Sequence, residues 1–273
     1  MSSNNKIGLC EWALPITGPY VCKFASEIGY DGLQLSIGYH EKRFPLSWKV
    51  TQEAYKEMAE EYGIEFASIA TRQLDFHSLF AAEGSEERAI ALASIEKGVA
   101  ACRDLEVEVF MIPNFAKSEA KTSEQVKQLV KDLQWACELA ADAGVLIAEE
   151  NVFSVEDTVR LFDAVDRENL RLYFDLQNYY LHRQVHTPDI IEPLMPYIVQ
   201  VHAKDGKNGD LSGAPLGEGD VDLFASLEEL ERLGYQGWVV NENYYDVPPL
   251  VREGDDPVQK LRDDLATLRT ALG

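Results

Sequence analysis

Residues 144–165 read GVLIAEENVFSVEDTVRLFDAV, and this stretch contains one complete structural unit. Gly144 stops a preceding helical pattern, because glycine closes a helix in the left-handed conformation at little cost. A short run apolar on both faces follows over 145–149, as expected of a buried parallel strand. Polar residues then lead to Ser154, a helix cap, and to apolar positions with helical spacing over 155–165. Outward from this unit, further strands are predicted at 7–10, 32–36, 65–70, 107–112, 172–175, 199–203 and 238–241. Helical patterns lie between them at 51–62, 86–104, 124–143, 223–233 and 257–272, with Ser123 as a second capping residue and Gly29, Gly63 and Gly234 as further stops. Eight strand–helix units imply right-handed crossovers and a parallel sheet that closes, so the predicted fold class is α/β, a single (β/α)8 TIM barrel. No linker or charge block interrupts the 273 residues, and one domain over 1–273 is expected. The competing open doubly wound sheet lacks its G-x-G-x-x-G after the first strand, where Cys10-Glu11-Trp12-Ala13-Leu14-Pro15 stands instead.

Composition narrows the partners. Asp and Glu number 47 against 25 Lys and Arg, a net charge of −22, which repels nucleic acid and anionic membrane surfaces. Cys10, Cys22, Cys102 and Cys137 are far apart and form no C-x-x-C pair, as in reduced buried thiols. The polar lead from Met1 to Lys6 carries no signal-like segment, and the expected location is the cytoplasm. Homo-oligomerisation is left open.

A closed α/β barrel carries its chemistry at the C-terminal ends of its strands. Strands five to eight end in Glu150, Asp175, His202 and Glu242, one candidate ligand per strand. Three carboxylates and an imidazole suit one divalent cation, Mn2+ first, with Mg2+, Co2+ and Zn2+ as alternatives. Glu149 competes with Glu150, since only one can face inward; Ala148 and Glu150 share a face. Glu11, Trp12, Gln34, Arg72 and Asn114 follow strands one to four and supply candidate pocket walls, Trp12 either stacking on a ligand or packing in the core. Lys204 shares the face of His202, where contact with a substrate oxygen and an ion pair with a neighbouring carboxylate are both open. His182 and His186 stand four apart, but Arg183 occupies the place of the glutamate in a zinc H-E-x-x-H helix, so a surface or rim role is expected.

The pairs Glu150-Asn151, the run Val201-His202-Ala203-Lys204-Asp205, and Pro215-x-Gly217-x-Gly219-x-Val221-Asp222 leading to Gly234-Tyr235-x-Gly237 and Glu242 resemble the xylose isomerase-like barrel superfamily. That superfamily includes ketose 3-epimerases, hydroxypyruvate isomerase, inosose isomerases and dehydratases, and endonuclease IV. The resemblance implies that Glu150, Asp175, His202 and Glu242 hold one divalent metal and that Glu150 and Glu242 exchange protons with a sugar or polyol substrate. Two positions depart from many members: Asn178 stands in place of His, and Gln34 in place of Glu. Asn178 can donate a hydrogen bond but cannot titrate near neutral pH. The implied activity is isomerase or epimerase chemistry through a metal-stabilised enediolate, with Glu150 and Glu242 as acid and base and Trp12, Gln34, Arg72, Asn114, Asn178 and Lys204 as substrate contacts. The alternatives are an inosose dehydratase-like lyase, a Schiff-base aldolase using Lys204, and a non-catalytic partner-binding barrel. An endonuclease is disfavoured, because the chain has no basic track for DNA.

Overall fold

The computed structural model describes residues 5–273, so most of the polar lead before Lys6 lies outside the described residues. Among the described residues eight strands form, β1 (Ile7–Cys10), β2 (Gly32–Ser36), β3 (Glu65–Ala70), β4 (Val109–Pro113), β5 (Leu146–Glu150), β6 (Leu170–Asp175), β7 (Ile198–Ala203) and β8 (Val239–Asn241). Hydrogen bonding follows chain order and β8 returns to β1, closing a barrel. Pairing is parallel, with Gly8 beside Gly32 in the β1–β2 ladder and beside Val240 in the β1–β8 ladder. Leu9, Leu33, Ile69, Phe110, Ile147, Leu172, Val201 and Val239 are all buried, as the two-sided apolar runs require.

The helices are α1 (Val21–Ile28), α2 (Lys49–Tyr62), α3 (Glu86–Leu105), α4 (Ser123–Ala141), α5 (Val155–Val165), α6 (Asn178–Arg183), α7 (Pro188–Leu194), α8 (Leu223–Arg232) and α9 (Pro257–Leu272). Ser154 caps α5, its oxygen accepting from Asp157 N at 3.1 Å. The cap of α4 is Thr122 and not Ser123, because Gln125, three residues on, completes a capping box with Thr122. Strand β4 starts two residues later than its apolar run, because Glu106 takes a left-handed conformation and Val107 N bonds back to Cys102 O, closing α3. Mid-helix Gly98 has a packing reason: a Cβ there would meet the Phe110 ring at 2.0 Å.

Two compact units partition the chain. One comprises the chain up to Gln34, Met58–Glu65 and Phe174–Gly273, and so contains β1, β7, β8 and the end of β6. The other comprises Leu35–Glu57 and Phe66–Tyr173, and contains β4, β5, α3, α4 and α5. Strands β2, β3 and β6 run through both. All four cysteines are buried and outside any disulfide, and no helix among the described residues is long and apolar enough to cross a membrane.

Candidate metal centre at the strand ends

Each expected ligand is positioned by the end of its own strand. Asp175 closes β6 and is fully buried, with Oδ1 accepting from the backbone N of Gln177 and of Asn178, both at 2.7 Å. These bonds tie the carboxylate to the first turn of α6. Its other oxygen, Oδ2, has no donor in hydrogen-bonding geometry among the described residues, although Lys204 Nζ lies 2.8 Å away. His202, in β7, turns Nδ1 toward Glu242 Oε2 at 3.3 Å and Asp175 Oδ2 at 3.7 Å. Glu242, just past β8, receives the Trp12 indole N–H on Oε1 at 3.1 Å and Lys204 Nζ on Oε2 at 2.6 Å. The Trp12 ring stands edge-on to His202, with centroids 6.3 Å apart.

Glu150, Asp175, His202 and Glu242 are all buried, and each offers one ligand atom within 4.8 Å of the others. Three carboxylates against one ammonium leave two negative charges with His202 neutral. Buried charge of that size is costly unless a cation balances it, and the unsatisfied Asp175 Oδ2 is the kind of atom such an ion would engage. The donor set therefore fits a divalent cation preferring oxygen with one imidazole.

The neighbouring Glu149 is also wholly buried but is spent on structure. Its Oε1 accepts from Asn114 Nδ2 at 3.0 Å, and its Oε2 from Asn151 Nδ2. Burial pushes its carboxyl up to about 7. Asn114, read from sequence as a pocket contact, thus joins Glu149, and its Oδ1 accepts from Ala120 N at 2.8 Å. Arg72 is paired with Asp75, Nε to Oδ2 at 3.5 Å. Glu11 is buried and accepts from Gly18 N at 3.3 Å, holding the turn before α1. Asn178 begins α6 and is buried. Lys204 takes the ion-pair option, bridging Asp175 and Glu242. Gln34, fully buried, places Oε1 2.6 Å from His202 Nε2. His182 and His186 do not share a helix, since α6 ends at Arg183 and Gln184 turns left-handed; exposed His186 pairs with Asp189 and Asp222.

Sequence reasoning did not foresee the use made of Asp205. Its Oδ1 accepts from Gly206 N at 2.8 Å and its Oδ2 from Gly217 N at 2.9 Å and Gly219 N at 3.0 Å, so one carboxylate gathers the glycine-rich loop after β7. A Cβ on Gly219 would meet Asp205 Oδ1 at 2.0 Å, which explains the glycine. The signal was present in the Gly217-x-Gly219 spacing after an inward-turned Asp.

The model of the xylose isomerase-like TIM barrel family matches residues 22–271, and the chain belongs to that family. Among characterised proteins it is similar to the 2-epi-5-epi-valiolone 7-phosphate 2-epimerase of an Actinoplanes species, 24% identical over 82% of each chain. It is likewise 24% identical to the L-ribulose-5-phosphate 3-epimerase of Escherichia coli, over 87% of this chain and 86% of the other. The crystal structure of the E. coli 3-keto-D-glucoside 4-epimerase superposes with a TM-score of 0.77 at 20% identity, covering 97% of this chain and 99% of that one. At these identities the structural likeness concerns the fold.

Proposed function

We propose that this chain is a divalent-metal-dependent epimerase or isomerase of sugars or polyol ketones, acting within one domain of residues 1–273. The observation that carries this reading is the convergence of Glu150, Asp175, His202 and Glu242, buried and within 4.8 Å of one another. The epimerase names of relatives spanning most of the chain support the reaction class.

Glu150, Asp175, His202 and Glu242 would hold the ion, with Mn2+ preferred for this donor set. When bound, such an ion supplies electrophilic stabilisation to the oxyanion that develops as a carbon beside a carbonyl loses its proton. Glu150 and Glu242 remove that proton and return one, as carboxylates in hydrogen-bonding reach of substrate do. Trp12 and Lys204 each donate to one oxygen of Glu242, and Lys204 and Asn178 offer N–H donors to substrate oxygens. Returning the proton to the same carbon from its other face gives epimerisation; returning it to the neighbouring carbon gives isomerisation.

Chelator-stripped protein, reloaded with Mn2+, Mg2+ or Co2+, should be screened against free and phosphorylated ketoses and polyol ketones with product analysis. Turnover is expected to vanish on stripping and return on reloading. Full turnover by metal-free protein would overturn the metal reading, and a dehydrated product would move the enzyme to the lyases.

A further inference from the structure

We propose that Gln34 is a positioning residue that fixes the tautomer of His202, holding the proton on Nε2 so that the Nδ1 lone pair faces the carboxylates. The proposal rests on the reading of His202 as a metal ligand, and its evidence lies within one compact unit. Gln34 Oε1 is 2.6 Å from His202 Nε2 and also accepts from the Cys10 thiol at 3.2 Å. The thiol sulfur is 3.6 Å from the same ring nitrogen. Cys10, Gln34 and His202 are all 0% exposed, so no bulk water substitutes for these partners. On the other side of the ring, Nδ1 points at Glu242 Oε2, 3.3 Å away, and at Asp175 Oδ2, 3.7 Å away.

An amide oxygen only accepts, so a ring nitrogen at 2.6 Å from it must carry the proton. A neutral imidazole has one N–H, and placing it on Nε2 leaves the Nδ1 lone pair directed toward the carboxylates. The reverse arrangement, with the Gln34 amide nitrogen toward the ring, would demand the proton on Nδ1 and aim an N–H where a cation has to bind. In the first arrangement Oε1 receives both the ring N–H and the Cys10 thiol. Glutamine here performs the acceptor role that a glutamate would, without adding a fourth negative charge to a buried cluster that already has three carboxylates.

The direct test is 15N-histidine NMR of the full chain, which has five histidines, with His202→Asn used to assign the signal. Wild-type protein should show a slowly exchanging proton on Nε2 of His202, whether the ring is neutral or charged. Gln34→Glu should keep it and Gln34→Leu should lose it. In Mn2+ titrations, folded Gln34→Leu should bind roughly 10- to 100-fold more weakly, as other losses of a ligand-orienting partner do. Gln34→Glu should retain affinity, whereas a merely structural role would leave both variants alike. Nε2 without a proton in the wild type, or unchanged Mn2+ affinity in folded Gln34→Leu, would overturn the proposal. If Gln34→Leu does not fold, the wild-type proton position and the Gln34→Glu titration still decide it. Wild-type protein that takes up no divalent ion would sink the proposed function, while the proton position would still decide the role of Gln34.

Discussion

Glu149 and Glu150 are neighbours in β5 and both are buried, yet their surroundings differ in kind. Glu149 has both oxygens filled by neutral amide donors, whereas Glu150 belongs to a cluster of acids around one imidazole. The same division runs through the molecule. Asp205 accepts three backbone N–H groups, and Asp264, in α9, accepts from Leu216 N, Asn243 Nδ2 and the Tyr245 hydroxyl. Asp175 and Glu242 instead each turn an oxygen to Lys204 and toward His202. A carboxylate saturated by neutral donors fastens loops; one facing charged groups is equipped to bind an ion or move a proton.

The largest effect should come from the second group. Glu150→Gln and Glu242→Gln keep an oxygen for a cation but remove the base, and each should lose at least about a hundredfold in turnover, the lower end for general acid–base catalysis. Bound metal, measured by elemental analysis, should persist in part. A near wild-type rate with metal bound would return that glutamate to the structural class and end the two-base mechanism.

Asp264 allows the structural class to be tested through pH. Burial, first among its causes, raises its carboxyl from 3.8 to about 6. The folded chain therefore holds this proton more tightly than the unfolded one. The resulting stability is complete below pH 3.8 and disappears as pH rises through about 6. A shift near two units corresponds to roughly 3 kcal/mol. Urea unfolding should show wild-type stability, relative to Asp264→Asn, falling by up to that amount across the window. A pH-independent difference would mean that Asp264 titrates alike in both states.

The strands were legible from their apolar runs, and the convergence of Glu150, Asp175, His202 and Glu242 from their places at the strand ends. A run apolar on both faces marks a parallel strand, and parity groups Ala148 with Glu150 and His202 with Lys204 without saying which face is inward. Partners were not legible. That Asn114 turns to Glu149, and that Gln34 lies against His202, depend on which strands lie side by side, and the residue type alone is equally consistent with a substrate contact. The cap of α4 was misread by one residue because Thr122 and Ser123 are both competent, and Gln125 decides between them only through its distance. Strand β5 ends one residue later than expected, at Glu150, which leaves the shared face of Ala148 and Glu150 unchanged.

The smallest effect, and the sharpest comparison, concerns Glu149→Gln beside Glu150→Gln. Either protonation state of a carboxyl presents two oxygens able to accept, so Glu149 can receive Asn114 and Asn151 whether or not it carries a proton. An amide has one acceptor, and its nitrogen would confront a second N–H donor. Neither asparagine can rotate freely in response, because Asn114 Oδ1 holds Ala120 N at 2.8 Å and Asn151 Oδ1 holds Phe153 N at 2.8 Å. One buried donor is left unpaired, a loss of about 1–3 kcal/mol in urea unfolding. Turnover of the folded variant should stay within a few-fold of wild type, since no ligand has been touched. A hundredfold loss of rate with unchanged stability would reverse the assignment, making Glu149 the proton-transfer residue and Glu150 its support.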